Sequence, residues 1–170
     1  INVLPMEVIQ QITAGGESVC NDAGIMIAGG HSIDTVEPIY GLVAIGVVDP
    51  KKLKRNSGAK SGDSIILSKP LGVGILSAAL KKEQLSESGY REMIALTTKL
   101  NKPGVELAQL EGVHALTDVT GFGLAGHLLE LARGAKLEAK LDWKSIPVVE
   151  EAIQLVQKDI YTGASTRNWV

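Results

Sequence analysis

Cysteine is almost missing from this sequence: Cys20 is the only one in 170 residues, so no internal disulfide can form. A reducing compartment, the cytoplasm, is the expected setting. Cys20 falls inside a helical pattern and reads as a core residue, not a reactive thiol. Aromatic residues are scarce at 4%, with a single phenylalanine. No apolar run reaches the ~18 residues of a spanning helix, and the opening residues do not read as a signal peptide, so no membrane partner is expected. A basic excess is lacking as well. The formal net charge is -2, which argues against a nucleic-acid surface but leaves room for an anionic small substrate at a locally positive site. His31, His114 and His127 lie far apart without the spacing of a metal site. No serine sits in a Gly-x-Ser-x-Gly elbow, so a nucleophilic triad has no support.

Glycine is what the sequence has in quantity, with 19 residues. Many glycines and few aromatics suit tight loops and backbone that faces a ligand. The apolar spacing predicts a helix over 5–23, interrupted at Gly15-Gly16 and stopped by Gly24. Residues 25–28 read as a short buried strand. Residues 39–48 read as a longer one, apolar enough to be covered on both faces. Asp49-Pro50 opens a polar stretch with Lys51, Lys52, Lys54 and Arg55 that reads as a linker or long surface loop. The domain boundary is placed there, giving 1–49 and 50–170.

Beyond it, a strand at 64–68 and helices at about 73–82, 88–101 and 103–110 are expected. A short strand at 113–116 then feeds a helix over about 122–133, with Gly134 as its cap. Residues 137–143 alternate apolar and polar, the plainest strand pattern in the chain, and 148–159 is the last helix. Strands and helices mix without a strict βαβ rhythm, so the expected class is α+β with an antiparallel or mixed sheet. The first residue is Ile1 and the last Val170. Both ends read as cut, and a fragment is expected.

Three glycine turns are candidates for chemistry. In Ala28-Gly29-Gly30-His31-Ser32-Ile33-Asp34, two glycines would let backbone approach a ligand, and His31 and Ser32 could contact phosphate; a tight turn with a polar surface is the other reading. In Thr117-Asp118-Val119-Thr120-Gly121-Phe122-Gly123-Leu124, a strand would deliver Asp118 beside a helix N-terminus, which attracts phosphate. A carboxylate there is a hard oxygen ligand suited to Mg²⁺. The competing reading is that Asp118 merely caps the helix. Lys69-Pro70-Leu71-Gly72-Val73-Gly74 also opens a helix, but lacks the spacing of a Walker A loop. Arg167, in the polar cluster near the chain end, could hold an anion or simply be solvated. His127, facing Leu124 and Leu128, reads as a packing or partly exposed residue.

Taken together, Gly29-Gly30-His31-Ser32-Ile33-Asp34, Asn56-Ser57-Gly58-Ala59-Lys60, Lys69-Pro70-Leu71-Gly72-Val73-Gly74 and the run from Thr117 to His127 closely resemble the selenophosphate synthetases (selenide, water dikinases). The likeness covers nearly the whole chain. It implies the aminoimidazole-ribonucleotide-synthetase-like ATP-binding fold. In that fold an N-terminal domain pairs across a homodimer as a β-barrel, and a C-terminal α/β domain packs alongside. On that map, 1–49 is the end of the first domain and 50–170 most of the second. The implied reaction converts ATP, selenide and water into selenophosphate, AMP and orthophosphate with Mg²⁺.

The resemblance makes Asp118 a metal ligand and gives Gly29, Gly30, His31, Ser32, Thr120, Gly121 and Gly123 nucleotide or phosphate contacts. The family's Cys or selenocysteine, its nearby lysine, a glycine-rich phosphate loop and further metal aspartates have no counterpart here, so no catalytic residue is assigned and Cys20 is not that nucleophile. Thiamine-monophosphate kinase, a hydrogenase-maturation enzyme, or a non-catalytic anion-binding module are the alternatives.

Overall fold

A computed structural model describes residues 4–168 of the chain. It divides into two compact units, Ile1–Val48 and Asp49–Val170, and each is described by itself.

Helix α1 (Met6–Ala23) makes up much of the first unit, entered from Pro5. Gly15 and Gly16 do not interrupt it. Gly16 is buried, and a Cβ there would collide with the Tyr40 hydroxyl. The helix ends in a Schellman turn. Gly24 takes φ 74 and donates to Asn21 O at 3.0 Å, while Ile25 N–H donates to Cys20 O at 3.0 Å. Cys20 is buried on that last turn. Residues 25–28 and 39–48, expected as strands, carry no ladder. Nor is 39–48 covered on both faces, since Val43 and Ile45 are 90% and 95% exposed. A strand exists only through hydrogen bonds to a neighbour, and among the described residues these segments have none.

The second unit is helical. Helices α2 (Val73–Lys81), α3 (Glu87–Thr98) and α6 (Glu150–Val156) share one core, with α2 packed on both others. Leu76 and Ala79 of α2, Met93 of α3, and Val149, Ala152, Leu155 and Ile160 are its buried members. Short α4 (Pro103–Leu107), longer α5 (Gly123–Ala135) and terminal α7 (Gly163–Arg167) complete the set, together with 3-10 turns at Pro50–Lys52, Asn56–Gly58 and Trp143–Ser145.

The expected mixed or antiparallel sheet is not formed among the described residues. What pairing remains is an isolated parallel bridge between Leu71 and Val148, with Leu71 N–H donating to Pro147 O at 2.8 Å and Val149 N–H to Leu71 O at 2.9 Å. The alternation in 137–143 does not bury a face either. Trp143 is 80% exposed and opens a 3-10 turn that Asp142 holds through Lys144 N–H and the Ser145 hydroxyl. Those bonds, the Ser145 hydroxyl first, pull the Asp142 carboxyl below the usual range. α7, not expected from the sequence, is capped by Thr162, whose hydroxyl accepts from Ser165 N–H.

The basic stretch after Asp49 is not a free linker. Lys52 donates to Gln109 Oε1 at 2.5 Å and Lys54 to Leu110 O at 2.8 Å, tying it to the segment after α4. Lys69 is also occupied: its ammonium donates to Leu96 O at 3.3 Å and to Lys99 O, at the C-terminus of α3. A cation there satisfies late carbonyls and opposes the negative end of the helix dipole. Lys69 therefore acts as a helix cap in this structure.

Three helix ends are unusual. α2, α5 and α6 are each followed by a left-handed residue, and all three are non-glycine: Glu83 (φ 56), Lys136 (φ 58) and Asp159 (φ 59). After α5, Lys136 N–H donates to Arg133 O at 3.2 Å and Leu137 N–H to Ala132 O at 2.9 Å. Gly134, expected as the cap, instead lies inside α5, where Ser57 backbone atoms would stand 3.3–3.4 Å from an added Cβ. An L-residue in the left-handed region costs roughly 1–2 kcal/mol, part of which glycine gives back as unfolded-state entropy. Lys136→Gly is therefore expected to stabilise the unit by about 0.5–1 kcal/mol. A urea midpoint that stays put or falls would count against this account of the cap.

Candidate functional site

Helix α3 shows how the second unit distributes its polar contacts. Ser86 is its N-cap, with Oγ accepting from Gly89 N–H at 2.9 Å. A capping box would place Glu or Gln at the position of Gly89 to bind the cap's own amide. Here Glu151 of α6 does so from another helix, accepting from Ser86 N–H at 2.9 Å and from the Ser86 hydroxyl at 2.6 Å. A side chain at position 89 would strike that same carboxylate. The Ser86 hydroxyl first, then its amide, lowers the Glu151 pKa below the ordinary glutamate range. Because the folded value is depressed, the contribution is complete above the unfolded pKa and fades as pH falls through the folded one. Glu151→Ala is expected to cost about 1–2 kcal/mol at neutral pH, and the difference from wild type should shrink in acid. A difference independent of pH would contradict the assignment.

The predicted chemistry lies elsewhere in this unit, on the loop leading into α5. Asp118 is exposed, and its carboxylate caps no helix. Phe122 occupies the N-cap of α5, and no side chain makes a cap bond there. The cap reading of Asp118 is thereby removed. The chain then turns tightly. Gly123 N–H donates to Thr120 O at 2.9 Å, and Gly123 takes φ 70, which an L side chain rarely adopts. Gly126 is bare because a Cβ there would lie 2.8 Å from Phe122 Cβ, so Phe122 can fold over the first turn.

His127, buried in α5, is the centre of the local polar contacts. Its Nε2 accepts from Thr120 N–H at 3.0 Å, and the Thr120 hydroxyl stands at the same distance. Its Nδ1 lies 3.8 Å from Glu130 Oε2, while Glu130 Oε1 accepts from Asn56 Nδ2 at 3.1 Å. From the other side, Asn168 Nδ2 donates to Gly121 O at 3.0 Å. The turn from Thr120 to Gly123 is thus pinned by α5 and by the residue that closes α7.

The segment from Asn56 to Asp63 packs against α5 and His114. A Cβ on Gly58 would collide with the His114 carbonyl, and Ser57 lies against Gly134 of α5. Asp63 accepts from Lys60 N–H at 2.8 Å and faces His114 Nδ1 at 2.8 and 3.0 Å. The Lys60 amide first, and His114 second, hold the Asp63 carboxyl below its usual range. Sequence reasoning missed His114, Asn56, Glu130 and Asn168, whose partners are 51, 74, 74 and 47 residues away. Local spacing carries no signal for such pairs.

In the first unit, Gly29, Gly30, His31 and Ser32 are all exposed. The Gly29-Gly30 pair makes no left-handed turn. A Cβ at Gly29, Gly30, Gly121 or Gly123 would meet nothing within 4 Å, unlike Gly58, Gly72, Gly89 or Gly126, where a Cβ would collide. No packing contact among the described residues accounts for the first four. Among the described residues, no group of three or more His, Cys, Asp or Glu is placed to hold a metal. Asp118 therefore belongs to no such cluster among the described residues. No helix among the described residues is long and apolar enough to cross a membrane.

Residues 60–166 match the family model described as AIR synthase related protein, C-terminal domain, and residues 1–48 match the corresponding N-terminal domain. The chain belongs to the AIR synthase related protein family. Within that family it is similar to proteins named selenide, water dikinase. It is 65% identical to that of Paraburkholderia xenovorans (strain LB400) over 169 residues, which is 99% of this chain and 48% of the relative. For Pseudomonas straminea the identity is 66%, covering 99% and 47%, and for Rhizobium meliloti (strain 1021) it is 53%, covering 99% and 48%. The chain spans about half the length of the curated relatives it matches.

Proposed function

We propose that the protein to which this chain belongs makes selenophosphate from ATP, selenide and water, releasing AMP and orthophosphate. The observation that carries the reading is identity of about two-thirds across nearly all of this chain with relatives named selenide, water dikinase. Asp118 serves as one carboxylate of a Mg²⁺ site. Bound there, Mg²⁺ would neutralise phosphate charge as bonds between phosphates break. Thr120, Gly121 and Gly123 approach the phosphate end, and Gly29, Gly30, His31 and Ser32 contact nucleotide or phosphate. The exposed Asp118 carboxylate, which caps no helix, supports this.

In this reading, 1–49 ends an ATP-binding domain and 50–170 is most of a second, α/β domain. The apolar residues of 39–48 enter a mixed or antiparallel sheet within a homodimer, supported by the exposure of Val43 and Ile45. The single cysteine suits a cytoplasmic enzyme.

The test compares the full-length protein with the 170-residue chain. The full-length protein is expected to form AMP from ATP only when selenide is present. The chain alone, with one candidate metal carboxylate, is expected to show no turnover. Selenide-independent AMP formation by the full-length protein, or robust turnover by the chain, would refute the reading.

A further inference from the structure

We propose that His127 is a positioning residue: a neutral imidazole that holds the Thr120–Gly123 turn in its working shape, oriented by Glu130 and, through it, by Asn56. The inference deepens the proposed reading of the Asp118 loop and depends on it only for its catalytic consequence.

The tautomer follows from the donors. A backbone N–H can only donate, so Thr120 N–H at 3.0 Å requires a lone pair on His127 Nε2. The Thr120 hydroxyl, at 3.0 Å, can donate to the same nitrogen. The ring proton therefore sits on Nδ1. Glu130 Oε2, 3.8 Å from Nδ1, lies beyond a direct hydrogen bond, but its charge favours the proton on that nitrogen. Glu130 is itself located by Asn56, which donates to its other oxygen at 3.1 Å. A histidine whose tautomer is fixed by the groups around it, and which in turn locates another group, is a recurrent arrangement at polar sites. Here the located group is a backbone amide two residues after Asp118.

The consequence concerns geometry. With Thr120 N–H turned onto His127 and Gly121 O held by Asn168 at 3.0 Å, the 119–120 and 121–122 peptide planes are restrained. The bare glycines of the turn cannot do this themselves, because glycine imposes almost no backbone preference. Without the histidine, the loop carrying Asp118 would sample several shapes, and small displacements of a positioned group lower turnover strongly.

The experiment uses the full-length protein with His127→Ala, His127→Gln and Glu130→Ala. In wild type, the His127 ¹⁵N shifts should report an unprotonated Nε2 and a protonated Nδ1, and the Thr120 amide should be protected from exchange. His127→Ala should speed that exchange at least about tenfold and lower kcat about 10- to 100-fold with little change in KM. His127→Gln, whose amide oxygen can accept from Thr120 N–H, should recover most of both. Glu130→Ala, at an exposed position, should speed Thr120 exchange without unfolding the helix, which keeps the test open if His127→Ala fails to fold. A proton on Nε2 in wild type overturns the proposal, as does Thr120 exchange at the wild-type rate in His127→Ala or Glu130→Ala. If wild type forms no selenide-dependent AMP, the proposed function fails, while the exchange and ¹⁵N results still decide the role of His127.

Discussion

Asp118→Asn in the full-length protein is expected to lower selenide-dependent AMP formation by about 10²- to 10³-fold, the scale of losing a principal electrostatic stabiliser of a transition state. The substitution is chosen because it separates two roles. As a helix cap, Asn is as good as Asp, and the change would be nearly silent. As a Mg²⁺ ligand, Asn surrenders the negative charge that binds a hard cation among phosphates. The structure has removed the cap role, since α5 starts from Phe122 without a side-chain cap bond. Asp118 is exposed, so folding should be unaffected. Activity should recover in part at raised Mg²⁺. Turnover within twofold of wild type would end the metal assignment.

The largest stability effect is expected at Gly72. Its φ of 127 lies where L residues are rarely found, and a Cβ would stand 2.7 Å from Ala152 Cβ and 3.3 Å from Val149 Cβ. Both neighbours are core members, Ala152 fully buried and Val149 2% exposed. The bridge between Leu71 and Val148 brings Gly72 that close to the start of α6. Gly72→Ala therefore combines backbone strain of roughly 1–2 kcal/mol with overpacking of about 1–3 kcal/mol. A total of about 2–5 kcal/mol is expected, read as a lower urea midpoint at unchanged slope. A loss below 0.5 kcal/mol would show that α6 yields easily.

These two positions also divide what composition and motif could reveal. Gly72 lies in one of the three glycine turns singled out for chemistry, beside Lys69 but without Walker A spacing. In the structure Lys69 is spent on the C-terminus of α3, and Gly72 is bare because α6 is there. The same motif, read locally, suggested a ligand; its physical cause is close helix packing. Asp118 went the other way. Local chemistry favoured a cap, and both family resemblance and the observed N-cap argue against it.

The helices were legible because their causes are local. Periodic apolar residues, Pro5 before α1, Gly24 after it and Pro103 at the start of α4 act within a turn or two of the bonds they govern. The expected strands form no ladder among the described residues, and strand bonds are not local. The alternation in 137–143 and the apolar run in 39–48 are real patterns, but a ladder needs a neighbouring segment at the right spacing, and the described residues supply none. The caps at Glu83, Lys136 and Asp159 were invisible for a related reason: packing of the following residue, such as buried Ile160 after Asp159, can hold a charged residue in a conformation that it would not choose alone.

The sequence by itself determined the helical segments other than α7, the family, and the loop on which the candidate chemistry rests, because propensity, periodicity and motif are properties of neighbouring residues. The tertiary structure alone decided how that loop is held. His127 reaches back from α5 to nearby Thr120, but Glu130 finds Asn56, and Asn168 finds Gly121, only when segments 74 and 47 residues apart meet. The physical reason is that a side-chain amide or carboxylate pairs with whichever group the packing brings within hydrogen-bond distance, and no spacing rule in the chain records that partner.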